Sequence, residues 1–167
     1  FIMQTIQLDH RQTFVQMALK AWNTYVNRAD KFFDALRDED FEKEIAPGKN
    51  RIIYILGHLI AANDSMLSLF GLGERQYAHL DEAFLKNPDR TITAIPPAAQ
   101  SRRDWKKQNQ ELTAHFAGMR AEDWFSRHTA MTDEDFSREP GRNKLSVLIN
   151  RTNHLAYHLG QLMLVKP

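Results

Sequence analysis

Three histidines in two separated apolar segments are the residues of this chain best suited to chemistry. His58 lies in the run Arg51-Ile-Ile-Tyr-Ile-Leu-Gly-His58-Leu-Ile-Ala-Ala, and the other two lie in Asn153-His154-Leu-Ala-Tyr-His158-Leu-Gly-Gln161. Four residues advance an α-helix by about 400°, so His154 and His158 project from one face a turn apart. Two ring nitrogens so placed can hold one divalent cation, and a third from a facing helix completes a three-nitrogen set. With only three protein ligands, a position stays open for water or substrate, as in catalytic rather than structural metal sites.

These histidines need helices to carry them, and the chain supplies the pattern. Val15, Ala18, Leu19, Trp22, Tyr25, Val26, Ala29, Phe32, Phe33 and Leu36 recur at steps of three and four, predicting a helix from about Asp9 to Arg37. Ala46-Pro47-Gly48 breaks the chain. Asn50 then reads as the N-cap of a second helix reaching Phe70, with Gly71 as its stop. Positions 71 to 97 read as a long connection with a short helix around Leu80 to Leu85. A third helix is expected from Ala98 to Gly118, with Ser101-Arg-Arg-Asp104 in capping-box form and Trp105, Leu112, Phe116 and Met119 facing inward. Polar, mixed sequence follows. Pro140-Gly-Arg-Asn143 starts a fourth helix running to about Val165. With no strand-like alternation, the expectation is an all-α, four-helix bundle spanning 1–167 as a single domain, with a long connection between helices two and three.

Projected at about 100° per residue, the fourth helix shows two faces. Leu145, Ile149, Thr152, Ala156, Leu159 and Met163 share the main apolar stripe, and Val147, Asn150, His154, His158, Gln161 and Val165 lie nearly opposite. The second helix places Arg51, Tyr54, Ile55, Ala61, Ala62, Ser65 and Leu69 around His58, with small residues that leave room beside a metal. Gln161, Asn150, Tyr54 and Arg51 are therefore candidates to orient a ligand or contact substrate. His10, His79, His115 and His128 lack a partner at ligand spacing and read as surface residues. An isolated H-x-x-x-H pair also arises by chance, and it is the third histidine on another helix that points to a site.

Composition narrows the function. The formal net charge is +1, from 22 basic and 21 acidic residues, which supplies no electrostatic reason to expect nucleic acid or a membrane surface as partner. The absence of cysteine excludes a protein thiol nucleophile and fits, without proving, a cytoplasmic protein. No signal-peptide pattern is visible in Phe1-Ile-Met-Gln-Thr-Ile-Gln. The apolar run Ile52 to Ala62 reads as too short to span a bilayer. His154 is followed by Leu155, so the zincin motif with its built-in general base is absent, and there are no paired Glu-x-x-His motifs of a di-iron bundle.

Ile55-Leu-Gly-His58-Leu and His154-Leu-Ala-Tyr-His158-Leu-Gly-Gln161, with the two Pro-Gly-Lys/Arg-Asn helix starts, resemble the DinB/YfiT-like superfamily of metal-dependent bundle proteins. That resemblance implies a four-helix bundle holding one divalent metal ion, typically nickel or zinc, through His58, His154 and His158, and frequent homodimers. Characterised relatives include transferases for low-molecular-weight thiols. The leading expectation is thus a metal-dependent transferase whose thiol arrives as cosubstrate and meets an electrophilic substrate. A metal-dependent hydrolase at the same site, or a non-catalytic metal-binding stress or interaction protein, are the alternatives.

Overall fold

Asp9 starts the first helix. Its carboxylate accepts the backbone N–H groups of Arg11 and Gln12 at 3.0 and 3.4 Å, satisfying donors that a helix N-terminus leaves without partners. The computed structural model describes residues 9–165, and among them no strand occurs. The protein is all-α. Long helices are α1 (His10–Asp34), α2 (Ile52–Leu69), α4 (Ala98–Ala117) and α7 (Lys144–Leu162). Short turns of helix, α3 (Asp81–Phe84), α5 (Ala121–Trp124) and α6 (Asp133–Arg138), lie in the connections.

Contacts between side chains fix how the long helices run. The last turns of α1 lie beside the first turns of α4, where Trp105 Nε1 donates to Asp30 at 2.5 Å and Lys106 pairs with Asp34. Helix α2 runs antiparallel to α7: His58 meets His154, and seven residues on, Ser65 meets Arg151. Helix α2 is buried nearly all round, from Ile52 through Leu67, because α4, α7, α3 and the short turns at 38–42 and 78–80 pack around it. Trp22, Phe33, Trp105 and Trp124 supply the largest sealed side chains of the core. An 18-residue apolar helix such as α2 meets the length and composition of a membrane span, but 72% of it is buried inside the protein.

The 71–97 connection is tied down along its length. Asp64, fully buried on α2, accepts the backbone N–H groups of Gln76 and Tyr77 at 3.0 and 2.9 Å and the Arg75 guanidinium at 3.1 Å. Arg75 also forks onto Asp81, and Tyr54 donates to the Asn87 carbonyl at 2.7 Å. The connection therefore holds α3 firmly against α2.

Several local expectations need correction. Arg51, not Asn50, occupies the N-cap of α2, because residues 44 and 51 pair as an antiparallel bridge that keeps Arg51 extended. Ser101 does not cap α4. The helix starts at Ala98, directly after Pro97, and Ser101 is buried in its second turn. Asn143 does cap α7, accepting from Ser146 N–H at 3.0 Å, though that helix ends at Leu162 rather than Val165. The buried stripe of α7 is Leu145, Leu148, Thr152, Leu155, Leu159 and Leu162, while Ile149 and Met163 are exposed. Packing against both α1 and α2 centres the buried arc between the two predicted faces. The polar 121–139 region carries α5 and α6, with Trp124 at its buried anchor.

Candidate metal centre

Helices α2 and α7 bring three imidazoles together. His58 Nε2 lies 2.9 Å from His154 Nε2, which in turn lies 3.1 Å from His158 Nε2. Each ring offers one nitrogen to a cluster whose members all fall within 4.8 Å of one another. Imidazole nitrogens bound to one small divalent ion at about 2.0–2.1 Å stand roughly 3 Å apart, so the spacing is that of a shared cation.

Proton positions follow from the partners of the outer nitrogens. His58 Nδ1 stands 2.8 Å from the Phe84 carbonyl, which can only accept, so Nδ1 carries the hydrogen and Nε2 presents a lone pair. His158 Nδ1 stands 2.8 Å from Gln161 Oε1, whose amide nitrogen donates to the Tyr157 hydroxyl at 3.2 Å, and the same tautomer results. Two lone pairs thus converge on His154 Nε2. His154 Nδ1 is sealed from solvent without a hydrogen-bond partner. This donor set fits a divalent metal: in two of its three rings an oxygen acceptor holds the outer N–H, the arrangement that orients metal-binding histidines.

Electrostatics favour the neutral form of His154 and His158. Burial, then the nearby His158 and His58, then Arg151, push the His154 pKa down to about 4. Burial also lowers that of His158, against an opposing effect of its Gln161 hydrogen bond. At neutral pH both are in the form that ligates metal.

Residues 22–162 match the family model described as the DinB superfamily. The chain belongs to the DinB superfamily. A search of curated proteins finds no match. In this DinB-superfamily chain the other predicted residues divide. Gln161 meets a histidine directly. Tyr54 lies flat beside His58, ring centroids 6.3 Å apart and planes 13° from parallel, with its hydroxyl engaged by Asn87. Arg51 is occupied elsewhere, forking onto Asp89 and reaching Glu42 at 2.6 Å. Asn150 is exposed on α7. Two participants escaped sequence reasoning. The Phe84 carbonyl is a backbone group on a separate segment and leaves no side-chain signal; Arg151 carries only a helical spacing of three and seven to the paired histidines.

Proposed function

We propose that this chain is a divalent-metal-dependent enzyme on a four-helix-bundle framework, a transferase that uses a low-molecular-weight thiol as cosubstrate. The convergence of three Nε2 atoms, two with their tautomers fixed from behind, is the observation that supports it. Nickel or zinc are the ions proposed, as the family resemblance implies; imidazole suits both, as it does copper and iron.

A bound divalent ion supplies one thing, a lowered pKa for a coordinated thiol, so that thiolate is available near neutral pH. The protein supplies the rest. Phe84 and Gln161 hold His58 and His158 in the ligating tautomer. Leu155 and Leu159, the buried neighbours of His154 and His158 in sequence, keep the inner side of α7 dry. In the transfer, a sulfur–carbon bond forms as the electrophile's bond to its leaving group breaks, and the thiol proton passes to solvent. The lack of cysteine makes an incoming thiol the only source of sulfur nucleophile.

A homodimer is proposed with it. Helix α7 exposes Ile149 and Tyr157, with Met163 just past its end, and α1 exposes Phe14 and Met17, apolar area that a second copy would cover. Sedimentation at micromolar concentration tests this, and a monomer alone would end it.

The decisive experiment measures metal content of untagged protein and then thiol consumption with electrophiles, against ester and amide hydrolysis. Metal-dependent thiol loss supports the transferase. Hydrolysis without thiol loss replaces it with the hydrolase reading, and metal binding without turnover replaces it with a non-catalytic one.

A further inference from the structure

Arg151 is the one partly buried arginine among the described residues that meets no carboxylate. Arg51, Arg75, Arg102 and Arg127 are likewise partly buried, and each is paired with aspartate or glutamate. Arg11, Arg28 and Arg103 also lack such a pair, but they are exposed and water solvates them. Arg151 Nη2 donates to Ser65 Oγ at 2.9 Å, and that hydroxyl passes its own hydrogen to the Ala62 carbonyl at 2.7 Å. Its Nε is sealed from solvent and has no partner. A guanidinium is effectively always charged, and one hydroxyl does not neutralise it; a half-buried cation so placed favours an anion.

Its position says which anion. Residues 151, 154 and 158 share one face of α7, and Ser65 lies on the face of α2 that carries His58. We infer that Arg151 and Ser65 form an anion subsite beside the three histidines, which receives the carboxylate of a small thiol whose sulfur lies at the histidine cluster. The inference rests on the metal–thiol reading above and names a feature of the substrate that reading leaves open. Seven residues of α2 and three of α7 separate the two levels, about 10 and 5 Å of rise, so about 10 Å is the upper limit of the span. Subtracting a metal–sulfur bond of about 2.3 Å and a charge-assisted hydrogen bond of about 2.8 Å leaves at most roughly 5 Å between sulfur and carboxylate oxygen. A three- or four-carbon mercaptocarboxylate spans that distance. Ala61 and Ala62, with single-methyl side chains, lie between the two levels on α2.

The test uses the full chain loaded with cobalt(II), titrated with 3-mercaptopropionate and with the neutral 3-mercapto-1-propanol. Sulfur-to-cobalt charge-transfer absorption reports binding. Wild type should bind the carboxylate about tenfold more tightly than the alcohol, in line with a charge-assisted pair. Arg151→Gln should bind both alike, with cobalt stoichiometry and the alcohol's affinity unchanged, and Arg151→Lys should recover part of the preference. Equal affinities in wild type, or a preference that survives Arg151→Gln, overturns the inference. If cobalt does not bind, or neither thiol produces the absorption, it is the metal–thiol reading that fails. The subsite is then judged on metal-free protein by the Arg151 Nε–H NMR signal, identified by its loss in Arg151→Lys. A shift with propionate and none with 1-propanol supports the subsite, and no shift with propionate overturns it.

Discussion

His58 Nε2 and His154 Nε2 stand 2.9 Å apart across the α2–α7 interface, and the Phe84 hydrogen bond leaves the first of them a bare lone pair. Such a contact is attractive only with a positive centre between the nitrogens: a proton on His154, or a metal ion serving all three rings. A metal ion held there would act as a cross-link between antiparallel helices. Adding a divalent ion at about a hundred times its dissociation constant should stabilise the fold by about 2.7 kcal/mol. For a chain of this size that corresponds to a rise in melting temperature of roughly 5–10 °C. His154→Ala should lose both the bound metal and the rise. A variant that keeps full stoichiometry would remove the centre from consideration.

Gln161 acts one bond further out. It accepts the His158 Nδ1–H at 2.8 Å and is braced by Tyr157. Partners behind a metal-binding histidine typically contribute about 10–100-fold in affinity. Gln161→Leu should weaken metal binding within that range with little change in the melting temperature of metal-free protein. Competition against a chromogenic chelator measures it, and unchanged affinity would show that the orientation of His158 does not depend on the amide.

Gly57 lets Phe84 approach. A Cβ built there would fall 2.4–2.6 Å from the Phe84 ring, well inside any tolerated contact. The same residue lends its carbonyl to His58, so the glycine next to the histidine sets how closely α3 can sit. Gly57→Ala should cost about 1–3 kcal/mol through overpacking. It should also weaken metal binding, because the carbonyl retreats with the ring. Thermal melts and chelator competition on one preparation test both effects; loss of stability without loss of metal affinity would separate the two roles of Phe84.

This arrangement explains how much could be read from residue order alone. Long helices announce themselves by apolar periodicity, and the histidine pair on α7 by its four-residue step. His58 was legible as their partner because it sits in a second apolar helix, with Ala61 and Ala62 leaving room one turn on. Boundaries were less legible. Asn50 is a good cap by residue type, but the Glu44–Arg51 bridge keeps the chain extended for one more residue. The buried face of α7 was displaced because α1 and α2 both claim it, which periodicity within one helix does not encode. The Phe84 carbonyl and the lone Arg151 depend on tertiary contacts.

Arg51 illustrates the same limit with a measurable consequence. Its guanidinium forks onto Asp89, whose side chain is 6% exposed, and anchors the end of the 71–97 connection at the start of α2. Burial alone would raise the Asp89 pKa, yet hydrogen bonds from Arg51 bring it below the usual value. Removing the cation strands that carboxylate, a change that typically costs about 3–5 kcal/mol. Arg51→Met should be strongly destabilising, and Arg51→Met with Asp89→Leu should recover part of the loss. Both variants, folded at low temperature, should retain metal stoichiometry, because neither residue touches a histidine. If metal binding fell while stability held, Arg51 would instead belong to the site.

The histidine cluster also sets a dependence on pH. His154 has a folded-state pKa pushed down to about 4, by burial first and by its histidine neighbours second. An unfolded histidine titrates near about 6.5. Because the folded value is the lower one, the unfolded chain takes up the proton first as pH falls. The stability contributed by the neutral ring is therefore complete above about pH 6.5 and is lost progressively down to about pH 4. Metal-free protein should melt at steadily lower temperature across that window, and His154→Gln should flatten the slope. Bound metal should hold the melting temperature level to lower pH, since protons must then displace the ion before they reach the nitrogens. A metal-free wild type whose melting temperature is constant from pH 7 to 4.5 would show that the His154 ring is solvated, and its Nδ1 accessible, in solution.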